Sequence, residues 1–259
     1  MCEIFSAVYT RAGDLIFRPD VTNSHEDLIE RKSLRDDGHD EFARLEFYPR
    51  KNGAWDNPDS YALHIDEEVR PHWFTGDMEI SVTQRLRERV SRMIVRNDRR
   101  ILLGGSWILS GSPVVDRCVN ACIIHAGSAT ITRAGSTTII YAGSARIIHA
   151  GSATIENAGS ATIENAGSAT IGHAGSAMII RAGSATIGHA GSAMIEHAGS
   201  AIIRDAGSAR IIHAGSAMIK YANSAIIRDA GSVMIGYAGS ATIENVNSAM
   251  FVRALHDER

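Results

Sequence analysis

The sequence predicts a mainly β protein: an octapeptide-repeat β-solenoid preceded by a small α+β N-terminal domain. Three observations lead there. From Ala126 to Arg253 the chain reads as sixteen uninterrupted octads of the form A-G-S-A-x-I-x-x. Within each octad, apolar and variable residues alternate over the fourth to seventh places and a glycine corner follows, which is the pattern of a short strand and a turn. Composition divides near residue 110, just ahead of the strict octads. Residues 1–109 hold eleven of the fifteen aromatics and 36 of the 55 charged side chains, while the remainder is built mainly from Ala, Gly, Ser and Ile.

Each octad position has a physical reading. The sixth is Ile in fifteen octads, Ile131 through Ile243, and Phe251 in the last, so it points inward. The second is Gly except at Asn223 and Asn247, the pair of residue types that best tolerate positive φ, so it forms a corner. The first and fourth are Ala, exchanged only for Thr137, Val233 and Val246, as a narrow core requires. The invariant Ser at the third is placed to bond turn backbone or a Ser of the neighbouring coil in a ladder. The fifth, seventh and eighth vary freely and face out. An amphipathic helix is the competing reading, but a Gly or Asn in every octad costs about 1 kcal/mol each in helix interiors. With two octads per coil and ~4.8 Å between stacked strands, the octads give eight coils and roughly 38 Å. An intertwined three-chain helix is the alternative, so the chain is expected to be a monomer or a homotrimer.

Two looser octads, Ser110–Arg117 and Cys118–His125, precede the strict ones. The domains are therefore residues 1–100, a capping α+β domain; 101–253, the solenoid; and 254–259, a charged tail. At the N-terminal end of the solenoid the globular part is expected to do the capping, through Ile101 to Leu109. Val246, Phe251, Val252 and Leu255 enlarge the apolar residues where the ladder stops, as a terminal cap needs. Within the first hundred residues, Ile4–Tyr9 and Leu15–Arg18 read as a hairpin. A short helix opens at Ser24 and runs to about Leu34. Glu41–Tyr48 and Ser60–Ile65 read as strands. A last helix spans roughly Asp77 to Val95, with Val82, Leu86, Val90 and Met93 on one apolar face.

The Met1-Cys2-Glu3-Ile4-Phe5-Ser6 start, the Ser24-His25-Glu26-Asp27 helix opening and the Met93–Val95 to Trp107-Ile108 segment leading into short repeats resemble an uncharacterised family of bacterial and phage proteins. That resemblance implies a compact N-terminal domain followed by a short-period solenoid, and it brings no activity. The repeat alone is also similar to bacterial ice-nucleation octads.

Three kinds of chemistry can be placed on named residues. Once Met1 is removed, Cys2 combines a thiol with an α-amine of pKa near 8 that serves as its base. The Met-Cys-x-Ile-Phe start is similar to class II glutamine amidotransferases, which would make Cys2 an N-terminal nucleophile. Glu3 stands where that motif has Gly, and the family's downstream residues find no match. Cys118, Cys122 and His125 fall at different octad places, so no metal site is expected, and the histidines at the eighth position read as a variable rim. Arg85, Arg89, Arg92 and Arg96 form a basic stripe on the last helix, where an anion, nucleic acid or acidic partner would dock. The competing reading pairs them with Asp36-Asp37 and Asp40-Glu41.

Composition narrows the classes. Residues 1–109 carry 16 basic and 20 acidic side chains and the rest 10 and 9, so no general basic field favours nucleic acid. No apolar run reaches the about 18 residues of a membrane span, and three cysteines make no disulfide framework, so a cytoplasmic location is expected. No cofactor is expected. An ice-binding array asks for one hydroxyl residue in a regular row, and Thr138, Thr154, Thr170 and Thr186 begin one that then turns to Ile202, Met218, Met234 and Met250. The remaining expectation is a non-enzymatic structural or interaction protein whose solenoid presents a variable surface to a protein partner or a second copy. Met178, Met194, Met218, Met234 and Met250 with Ile202 and Ile226 are expected to supply an apolar strip. Hydrolysis by Cys2 and ice binding are the alternatives.

Overall fold

The computed structural model describes residues 5–35, 41–50, 55–66, 70–246 and 250–253. It falls into two units, Met1–Ile94 and Val95–Arg259, and each is described by itself. Cys2, the acidic Asp36, Asp37 and Asp40, and the tail 254–259 lie outside the described residues.

In the first unit, β1 (Phe5–Thr10) pairs antiparallel with β2 (Leu15–Ile16) and with β3 (Phe42–Pro49), and β3 pairs with β4 (Tyr61–Ile65). The hairpin turn is closed by Gly13 N–H donating to the Thr10 carbonyl at 2.9 Å, and the Thr10 hydroxyl accepts the Asp14 N–H at 3.0 Å. All six residues of β1 are buried, which requires partners for its polar members. Ser6 finds them in Asn23, whose side chain accepts the Ser6 N–H at 2.7 Å. Helix α1 (His25–Arg31) starts, as the sequence indicates, at Ser24, whose hydroxyl accepts the Asp27 N–H. It ends earlier than Leu34, because Ser33 takes a left-handed φ of 51° and turns the chain. Val8, Ile16, Leu28 and Phe42 form one apolar cluster. A second is aromatic, with Phe5 edge-on to Phe17 and Trp55 and stacked on Tyr61. Helix α2 (Gly76–Met93) is capped by Thr75 and buries Val82, Leu86 and Val90. It stops at Met93 because the β-branched Ile94 and Val95 form a strand instead.

The second unit is the predicted solenoid. Strands sixteen residues apart in the same chain pair in parallel and in register, as in Ile131↔Ile147 and Ile139↔Ile155, so a coil is two octads. Among the described residues one sheet, face I, has ten strands from Arg99–Leu103 to Thr242–Ile243. The other, face II, has eleven, from Ile94–Val95 to Met250–Arg253. The ladder thus continues in front of the strict octads, through Ser106–Leu109, Val114–Val119 and Cys122–His125, and exceeds the eight coils that the octads alone supply.

Ile at the sixth place and Ala at the first and fourth are fully buried from Ala126 to Ala230, in one continuous column. Burying one such Ile contributes about 1.5–3 kcal/mol, against about 1–2 kcal/mol to order each backbone residue. An isolated coil therefore does not hold, and stacked coils do. The corner is a turn in which the fourth-place N–H donates to the first-place carbonyl, 3.0 Å for Ala129 to Ala126. The second place has φ near +60°, including 54° at Asn223, as its Gly/Asn restriction predicts. Asn247 lies outside the described residues. Of the two arrangements open to the serines, turn backbone and a serine ladder, the first prevails. Ser144 and Ser160 lie 3.2 Å apart, but Ser168, Ser176, Ser184 and Ser192 each turn the hydroxyl to the glycine carbonyl of the preceding coil at 3.4 Å. That carbonyl already accepts the serine N–H at 2.9 Å, so it is the nearest acceptor.

Candidate binding surfaces

The strict register sorts the outward residues by face. Fifth-place residues of face I stack as Thr130, Arg146, Thr162, Met178, Met194, Arg210, Ile226 and Thr242. Those of face II stack as Thr138, Thr154, Thr170, Thr186, Ile202, Met218 and Met234, with Met250 next in the ladder. The methionines therefore do not make one strip. Met178 and Met194 adjoin on face I, where Arg210 separates them from Ile226. Ile202, Met218 and Met234 are consecutive on face II and 37–45% exposed. The reason is the coil length: residues sixteen apart share a row and residues eight or twenty-four apart do not, a distinction that octad position alone misses. The aligned threonines occupy four consecutive coils of face II, as read from the spacing.

The eighth-place rim is more ordered than its sequence variability suggests. His173 stacks on His189 with ring centres 4.9 Å apart, and the next coil supplies Asp205, whose carboxylate is 3.5 Å from His189 Nδ1. Face I repeats the order: His197 stacks on His213 at 4.7 Å, and Asp229 lies 2.8 Å from His213 Nδ1. Tyr221 and Tyr237 continue the face II row, stacked at 5.1 Å. Among the described residues no three His, Cys, Asp or Glu side chains converge as a metal site. Cys118 belongs to a face I strand and Cys122 to a face II strand. Burial pushes the Cys118 thiol up to about 12, with the neighbouring Thr137 hydroxyl acting weakly in the opposite direction. Such a thiol is inert as a nucleophile. Peptide mapping after iodoacetamide at pH 8 is expected to find Cys118 unmodified in the native protein, with Cys122, which is half-buried, reacting ahead of it.

In the first unit, the β1–β2 turn with the start of β2, the end of α1 and the second half of α2 line a hollow of about 560 Å³. Arg18, Lys32, Arg85 and Arg89 line it, together with Asp14 and Thr10. Arg85 is fixed by donating to the Gly13 carbonyl at 3.3 Å and by lying over the Tyr9 ring. Arg18 is bonded to Asp20, which raises the guanidinium and lowers the carboxyl, so its charge is compensated. Arg89 is different. Burial, then Arg85 and Arg92, pull its pKa down, and among the described residues no acid offsets them. Arg92 is exposed and does not line the hollow. Arg96 lies beyond the end of α2, so the four-arginine stripe does not extend along one helix. The Lys32, Thr10 and Asp14 contributions escape sequence reading because they come from other elements than the helix.

No family model matches the chain, and neither a curated protein nor a solved structure does. The resemblance to bacterial and phage proteins thus gains no family assignment. Among the described residues no helix is long and apolar enough to cross a membrane.

Proposed function

We propose that this is a non-enzymatic interaction protein whose solenoid is a rigid support for side-chain rows that a protein partner reads. The observation that carries the reading is the contrast within one octad. Core places hold Ala and Ile with almost no change, while the fifth, seventh and eighth places change from coil to coil without disturbing the ladder. The row Ile202, Met218, Met234 is the apolar part best suited to a partner, since adaptable methionines in one exposed row pack against varied surfaces. The chain is expected to coil singly, with a light-scattering mass of about 28 kDa; three times that mass would favour the intertwined form. Affinity capture with the whole protein, its Met218→Glu/Met234→Glu variant and a Thr154→Glu/Thr170→Glu control tests the surface. The reading expects a partner retained by the wild type and the threonine control and lost by the methionine variant. Equal retention by all three, or no partner at all, overturns it.

A further inference from the structure

The hollow of the first unit calls for an explanation that the solenoid does not supply. Among the described residues three cations of the lining, Lys32, Arg85 and Arg89, have no ion-pair partner and share the hollow with one carboxylate, Asp14, a surplus of two positive charges (three minus one). Arg85 and Arg89 are one turn apart on α2 and so present neighbouring guanidinium groups. Like charges held together and partly desolvated destabilise the fold unless something else offsets them. Guanidinium forks match the oxygens of a tetrahedral oxyanion, and the Thr10 hydroxyl, which already accepts the Asp14 N–H, has its own O–H left to donate. The volume suits a small molecule and excludes a folded partner.

We propose that this hollow binds a phosphoryl dianion, free or carried by a small phosphate monoester, with Arg85, Arg89 and Lys32 as its cationic ligands. Arg85 is pre-positioned by Gly13 and Tyr9, and Arg89 supplies the uncommitted charge. Arg18 stays with Asp20 at the rim.

The test is calorimetric titration of the whole protein at low ionic strength with inorganic phosphate and, separately, with a hexose 6-phosphate. Saturable binding at one site per chain is expected, weakened about tenfold or more in Arg89→Gln and by less than about twofold in Arg92→Gln, which removes the same charge outside the hollow. Tighter binding of the ester assigns the site to phosphorylated metabolites, and equal binding assigns it to phosphate itself. Arg89→Gln is expected to melt no lower than the wild type without ligand, so loss of binding is not loss of fold. No saturable binding of either probe, or equal weakening by Arg92→Gln, overturns the proposal.

Discussion

Replacing Ile187 with Asp is expected to unfold the middle of the solenoid. Ile187 is fully buried on face II, directly between Ile171 and Ile203 of the adjacent coils. Shortening such a side chain to Ala alone costs about 2–5 kcal/mol, because the stacked neighbours cannot collapse into the gap. A carboxylate adds the penalty of a buried group with no partner, about 1–3 kcal/mol or more, since Ala and Ile surround it and offer no donor side chain. The sum, roughly 5 kcal/mol, is comparable to the stability of a whole domain. Burial raises the pKa of the introduced acid in the folded state. The variant's deficit therefore shrinks as pH falls toward the unfolded value near 4 and is complete once pH rises above the folded value. Ile187→Val, by contrast, is expected to lower stability by only about 0.5–1.5 kcal/mol. Urea unfolding followed by circular dichroism at pH 4.5 and 7.5 measures both. A neutral Ile187→Asp would mean that the isoleucine column is not the core.

The same column explains why the solenoid was legible in the sequence and the binding surfaces only partly so. Ile131 to Ile243 repeat at a fixed spacing because each sits in the same place in a one-dimensional stack, so periodicity translates directly into burial. The Asn223 corner follows from the same logic, because left-handed φ leaves few residue choices. Which face an outward side chain joins depends instead on the coil length, and the octad does not contain that information. Met194 and Met218 occupy the same octad place yet stand on different sheets. The stacked His173 and His189 become neighbours only once a sixteen-residue coil is established. In the first unit the hollow draws Thr10, Asp14 and Lys32 from a turn and a helix end, so no local spacing joins them to Arg85 and Arg89. The helix end at Met93 is a further case: the charged pattern continues to Arg96, but strand pairing by Ile94 and Val95 ends the helix before it.

Replacing Gly191 with Val should have the next largest effect, and the corner geometry fixes its origin. Gly191 has φ 62°, and a Cβ there would lie 2.8 Å from the Gly175 carbonyl oxygen and 3.4 Å from its Cα. That carbonyl is not free to retreat, since it accepts the Ser192 N–H at 2.9 Å and lies within 3.4 Å of the Ser192 hydroxyl. Left-handed φ costs an L-residue about 1–2 kcal/mol, with β-branched side chains worst placed, and displacing the carbonyl forfeits about another 1 kcal/mol of hydrogen bonding. A loss of about 3 kcal/mol is expected, with amide exchange accelerated first in the coils containing Gly175 and Gly191. Asn223 is the natural comparison: it holds φ 54°, and its side chain donates to Asp205 Oδ1 at 2.6 Å, a bond that anchors the side chain where valine would have no partner. Gly191→Asn should therefore fall between glycine and valine, and Asn223→Gly should change stability by less than about 1 kcal/mol, since glycine regains the conformational freedom while giving up the Asp205 bond. Equal losses for Gly191→Asn and Gly191→Val would place the penalty in the Cβ contact alone, and no loss for either would show that the corner does not require positive φ.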